Sequence, residues 1–123
     1  SYNMSKLTDS LDSLMTLDGA ICAAVVDTRN GMILGHVGSG IDIEIAAAGN
    51  TDVIKAKIKT IKLLGINEVI EDILITLENQ YHILRPLQKV DSVFIYLVLS
   101  RRDSNLALAR RRVMDVEGTV ENI

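Results

Sequence analysis

The sequence predicts an α/β sandwich of three layers, ordered α-β-β-α-β-β-β-α around a mainly antiparallel five-stranded sheet of strand order 2-1-5-4-3. Three observations carry that expectation. Residues 21–26 and the run "SVFIYLVLS" (92–100) are apolar on both faces, so both strands belong in the middle of a sheet, side by side. Between them lies one long segment of helical period, able to cross from one edge of the sheet to the other. The remaining strands are interrupted by His36, Thr76, Glu78, His82 and Arg85, and their short connections make them hairpin partners on the outside.

Leu7, Leu11, Leu14 and Met15 recur at helical spacing with Lys6, Asp9, Asp12 and Ser13 between them, which predicts a first helix over 3–16. Asp18-Gly19 ends it. After the first strand, Asn30-Gly31 reads as the centre of a type I′ hairpin turn, whose two central residues need positive φ. With that centre His36 pairs opposite Val25. The returning strand, 32–37, is interrupted by Gly35. "SGID" then reads as a capping box, Ser39 at the cap and Asp42 three residues on.

The long helix runs from there to Leu64. Its apolar stripe is Ile43, Ala47, Ile54, Ile58 and Ile61, flanked by Ala46, Asn50, Val53 and Leu64; Glu44, Lys55, Lys59 and Lys62 fall opposite. Gly65 stops it as a left-handed C′ residue. Strands are expected over 71–78, 81–87 and 92–100, with hairpins at Asn79-Gln80 and around Lys89-Val90-Asp91. Asp103 or Ser104 caps a last helix running to Met114, and the tail "DVEGTVENI" carries no strong pattern.

The totals suit this plan. The 123 residues, 48% of them hydrophobic, are expected to make a single domain over 1–123 with its core at about 6–114. With one Phe, three Tyr and no Trp, the core must be aliphatic. A net charge of -3 disfavours wholesale nucleic-acid binding. Cys22 is the only cysteine, so no internal disulfide can form, and its apolar setting marks a small core residue more than a reactive thiol. No apolar run approaches the ~20 residues of a membrane span and no signal-peptide pattern is present, so a cytoplasmic protein without membrane insertion is expected. The opening "SYNM" leaves Met4 as a candidate native start.

In that strand order the third strand, "EDILITLEN", is an edge. Its interior "ILITL" carries no lysine, proline or bulge, the usual devices that blunt an edge. A second copy pairing antiparallel about a two-fold axis would satisfy it, and the small run Ala46-Ala47-Ala48-Gly49 would let the long helices approach. The expected homodimer interface is therefore Ile73, Leu74, Ile75, Thr76 and Leu77, with Ala46, Ala47, Asn50 and Val53.

Three segments, "DGAICAAVVDTRNGMILG", "YHILRPL" and "SRRDSNLALARRRV", resemble the Roadblock/dynein light chain family, and the likeness covers about residues 6–114. The resemblance implies a profilin- or longin-like fold acting as a non-catalytic adaptor. Family members dimerise through the third strand and second helix. They serve as dynein light chains, as scaffolds in complexes controlling small GTPases, or as bacterial regulators of a Ras-like GTPase. In the last branch the paired helices help to form the GTPase-facing surface without supplying an arginine finger. By position, Glu44, Thr51, Asp52, Lys55, Lys59 and Lys62 lie on or beside that surface. The partners implied are a second copy and a Ras-like small GTPase or larger complex. The rival readings are a purely structural motor or complex light chain, and a small-molecule sensor with a ligand between the layers.

Nothing in the chain assembles an enzyme. His36 and His82 lack a nucleophile or a metal set, and Asp27 is most simply a turn residue. "GHVGSG" matches neither the dinucleotide fingerprint nor the P-loop, which needs a Gly-Lys-Ser/Thr ending. Arg101-Arg102 and Arg110 to Arg112 are the only basic clusters; the three adjacent arginines spread around a helix instead of forming one stripe, and both clusters read as structural. No catalytic residue, metal or cofactor is expected.

Overall fold

The computed structural model describes residues 4–120, and the side chains from Lys6 onward. In order, the elements are α1 (Met4–Met15), β1 (Ala20–Asp27), β2 (Met32–Gly38), α2 (Ile43–Leu63), β3 (Ile73–Thr76), β4 (Gln80–Pro86), β5 (Val93–Ser100) and α3 (Leu106–Thr119). The sheet is antiparallel throughout with order β2-β1-β5-β4-β3. β1 and β5, apolar on both faces, lie in the middle as their sequences require.

Alternation along the central strands fills two cores. Ala23, Val25, Ile95, Leu97 and Leu99 face α1 and α3, packing with Leu7, Leu11, Leu14, Ala109, Val113 and Val116. Cys22, Ala24, Val26, Phe94, Tyr96 and Val98 face α2, packing with Ala47 and Ile54. Gly35 permits the first layer to close, because a Cβ there would lie 2.7 Å from Leu7 Cδ2.

Several local expectations are revised. The β1–β2 connection is a four-residue loop, Asp27 pairing with Met32, in which Gly31 takes positive φ (71°) but Asn30 does not. The Gly31 N–H donates to the Asp27 carbonyl (2.8 Å), and Asn30 Oδ1 accepts from the Met32 N–H (3.0 Å). A register shift at Val25/Val26 then sets His36 opposite Ala24, not Val25, so His36 sits on the α2 face of the sheet. Asp27 is the turn residue foreseen: its carboxylate accepts from the Arg29 N–H and guanidinium, whose hydrogen bonds and charge hold it below the usual carboxylate range.

The cap of α2 is Asp42, whose Oδ1 accepts from the Ile45 N–H (3.2 Å), so the expected Ser39 cap is displaced by three residues. At the other end Gly65 is the C′ residue, at φ 72°. Its N–H donates to Lys62 O, and the Ile66 N–H to Ile61 O, the paired bonds of a Schellman ending. The third strand is half the expected length, residues 73–76 in place of 71–78, and Leu77 falls outside it.

α3 is capped by Asn105, whose Oδ1 accepts from the Leu108 N–H (3.0 Å), and not by Asp103 or Ser104. It runs five residues past Met114, to Thr119. Much of the tail read as patternless is therefore helix. Val116 and Val120 continue the buried period of Ala109 and Val113. Residues 121–123 of that tail lie outside the described residues.

Candidate functional site

α2 lies against the sheet through one narrow stripe. Ala47, Thr51 and Ile54 are buried beneath it, and past Ile54 the helix carries exposed residues at every position to Leu64 except Ile61. Thr51 is 5% exposed and its Oγ1 donates to the Ala47 carbonyl (2.7 Å). It is thus spent inside the chain and does not reach the partner-facing surface expected for it. Ala47, expected at a dimer interface, is likewise already in the core.

The two flanks of α2 are distinct. Val53, Ala56, Lys57 and Thr60 line a groove with Ile70, Asp72 and Ile73, which marks the flank facing β3. At 3.6 residues per turn Ala46 and Asn50 share that flank with Val53. The other flank carries Ala48, whose Cα lies 3.8 Å from where a Cβ on Gly31 would stand, and with it Glu44, Lys55, Lys59 and Lys62. Asp52 is exposed on the outward side. The lysines thus sit on the flank away from β3, not opposite the apolar stripe, and Lys62 lines a second groove, beneath the C-terminal half of α2. None of the three lysine side chains makes an ion pair or hydrogen bond among the described residues.

β3 divides its side chains between the layers. Ile73 and Ile75 pack on the α2 face and Leu74 on the α1–α3 face, each only half-buried, while Thr76 and Leu77 are exposed. The edge is held from behind. Arg101 Nη1 donates to the carbonyls of Leu77 (2.9 Å) and Glu78 (3.3 Å) and stacks over Tyr81, while Arg110 forms a forked pair with Asp72 (2.9 and 3.0 Å). Arg112 Nη1 donates to Ser13 O and Thr16 Oγ1, tying α3 to α1. Arg101 in the turn before α3, and Arg110 and Arg112 on it, thus have structural roles.

Beside this edge, on the α2 face, runs a short polar chain. Gln80 Oε1 accepts from His82 Nε2 (2.8 Å), and His82 Nδ1 accepts from the Tyr96 hydroxyl (3.0 Å), with the His82 and Tyr96 rings edge-on. Asn50 stands beside the Tyr96 hydroxyl. Burial pushes the Tyr96 hydroxyl up to about 12 and holds His82 below its ordinary value, so both are neutral donors or acceptors near pH 7. Burial likewise raises the Cys22 thiol. The arrangement satisfies buried groups and has no nucleophile. Among the described residues no cluster of three His, Cys, Asp or Glu is placed to hold a metal ion. No helix among them is long and apolar enough to cross a membrane.

The sequence reading missed the residues around the C-terminal half of α2. Leu63 (78% exposed), Leu64, Ile66 and Val69 (75% exposed) form an apolar surface there. Ile54, Ile58 and Ile61 roof a groove of about 420 Å³ whose floor and far wall include Phe94, Val93, Pro86 and Ile70. The missed partner of Arg85 is Glu117: the two are 9% and 10% exposed and 2.9 Å apart, and Glu117 Oε2 also accepts from the Gln88 N–H (3.2 Å). The continued valine period of α3 is the signal that could have placed it.

No family profile and no curated protein matches the sequence. Solved structures do. MglB of Myxococcus xanthus superposes with a TM-score of 0.84 at 20% identity, over 96% of this chain and 94% of that one. The gliding protein MglB of Thermus thermophilus gives 0.82 at 15% identity, over 97% and 90%. A Roadblock/LC7 domain from Streptomyces avermitilis gives 0.78 at 9% identity, over 97% and 94%. Element order, strand order and near-complete coverage of both chains agree: this chain has the Roadblock/LC7 fold.

Proposed function

We propose that this protein is a Roadblock-family adaptor, a non-catalytic homodimer that regulates or scaffolds a Ras-like small GTPase. One observation carries the reading. The open β3 edge and the β3-facing flank of α2 form a continuous, partly apolar surface, Ile73, Ile75, Ala46 and Val53, with a groove between them and no cover from the other described residues. Two-fold pairing there would add Ile73 to Thr76 to a sister strand and seat one α2 flank on the other. Asn50, half-buried on that flank, would join the contact. The likeness to two MglB structures supports the GTPase partner.

In such a dimer, Glu44, Asp52, Lys55, Lys59 and Lys62 remain free on the outer sides of the helix pair, the three lysines positioned to steer an acidic partner. The test is affinity capture from the native cell followed by a nucleotide-hydrolysis assay of any GTPase recovered. Recovery of a GTPase whose hydrolysis changes on mixing is the expected result. Recovery of a motor or filament protein alone, with no GTPase, would replace this reading with the structural light-chain one.

A further inference from the structure

The groove under the C-terminal half of α2 meets the proposed pairing surface only at Ile70, and its walls are preformed. Thr28 donates twice to the Ser92 carbonyl, through its N–H (2.7 Å) and its Oγ1 (3.1 Å), fixing the β4–β5 loop to the end of β1. Gln88 Nε2 bridges the carbonyls of Ile70 and Pro86 (both 3.2 Å), fixing that loop to the segment before β3. Above, the Schellman ending turns Ile66 back beside Ile61. The result is a trough of about 420 Å³ that the chain's own side chains leave unfilled, although Ile58 at its lip is 39% exposed. That size is within the range of built binding clefts.

Charge around the trough is sorted. Lys55, Lys59 and Lys62 stand along the α2 lip, around a shallower hollow that shares Ile58 and Lys62 with the trough. Glu68 and Asp91 stand on the opposite lip. Like charges one turn apart, as at Lys55 and Lys59, weaken a helix, and no side chain among the described residues relieves them. An aliphatic lipid tail would fill the trough but would use only one lip. A segment that satisfies both lips needs an apolar stripe with carboxylates on one side and cationic or neutral polar groups on the other.

We propose that this trough docks an amphipathic helical segment of a protein partner, its apolar side chains over Ile54, Ile58 and Ile61, its acidic flank against Lys55, Lys59 and Lys62. The proposal goes beyond the GTPase reading and stands whether or not that reading holds. The opposed lips also fix which way round the segment lies, since reversing it sets carboxylate against Glu68 and Asp91.

The test uses the 123-residue chain and a labelled synthetic peptide of about twenty residues, beyond the length at which an isolated helix is marginal in water. The peptide carries a leucine stripe with glutamates along one flank and lysines along the other. Expected are saturable binding that weakens with salt, chemical-shift changes at the Ile54, Ile58 and Ile61 methyls, and roughly tenfold or greater weakening by Ile58→Asp and by Lys59→Glu with Lys62→Glu. A peptide with lysine on both flanks should bind at least tenfold more weakly on the same grounds. The proposal is overturned if the acidic-flanked peptide fails to bind, or if Ile58→Asp leaves its binding unchanged. It is equally overturned if the all-lysine peptide binds as well, or if laurate or phosphatidylserine vesicles shift those methyls while the peptide does not. None of these readouts involves a GTPase, so the two proposals fail separately.

Discussion

His82 and Glu117 show how single side chains set this molecule's tolerances. His82 is half-buried and stays neutral because Nδ1 must accept from Tyr96 while Nε2 donates to Gln80. Burial lowers its pKa in the fold, so below the unfolded value of about 6.5 the unfolded chain binds a proton that the native state resists. Stability is therefore full above that value and falls as pH drops through it toward the folded pKa. Thermal melts should show a lower midpoint at pH 5.5 than at pH 7.5, and His82→Gln should flatten that difference. Glu117 poses a different demand. With Arg85 it forms a nearly buried pair, and Glu117→Ala would leave a buried guanidinium without its charge partner. Removing one member of such a pair costs about 3 kcal/mol, so a urea midpoint that did not move would show the pair to be dispensable.

At the scale of elements, the clearest dependence is on how helices and strands end. Gly65 stands at φ 72° with open space around it, so Gly65→Ala strains the backbone without a clash and should cost about 1 kcal/mol by chemical denaturation. That terminus was legible from sequence because only one residue type suits the geometry. The central strands were legible for a comparable reason: apolar side chains on both faces admit only an interior place. The caps of α2 and α3 were not, since Ser39 competes with Asp42, and Asp103 and Ser104 with Asn105, and all of these can cap. The register of the β1–β2 hairpin was hidden by a bulge that period-two alternation does not reveal. The lysine face was visible as a cluster, but its position relative to β3 depends on the rotation of α2 over the sheet, and no local pattern records that. Glu44 and Lys62 could be grouped from spacing alone. Thr51 could not be told from its neighbours, because a threonine beneath a helix satisfies its hydroxyl on the preceding turn.

For the whole molecule, the proposed dimer makes a direct prediction. Light scattering at micromolar concentration should return a particle of twice the 13.5 kDa chain mass, and Val53→Arg should return 13.5 kDa with an unchanged circular dichroism spectrum. Val53 is 39% exposed in the isolated chain, so the substitution burdens the interface more than the fold. A variant that still weighs as a dimer would exclude the β3-facing flank of α2 from the contact. The brevity of β3 has a further outcome. Four residues give a sister strand few backbone bonds, and backbone bonds are blind to side-chain identity. Choice of mate would then rest on the handful of groups along one helix flank, so a few substitutions there would suffice to turn a self-pairing chain into one that exchanges subunits with a divergent copy.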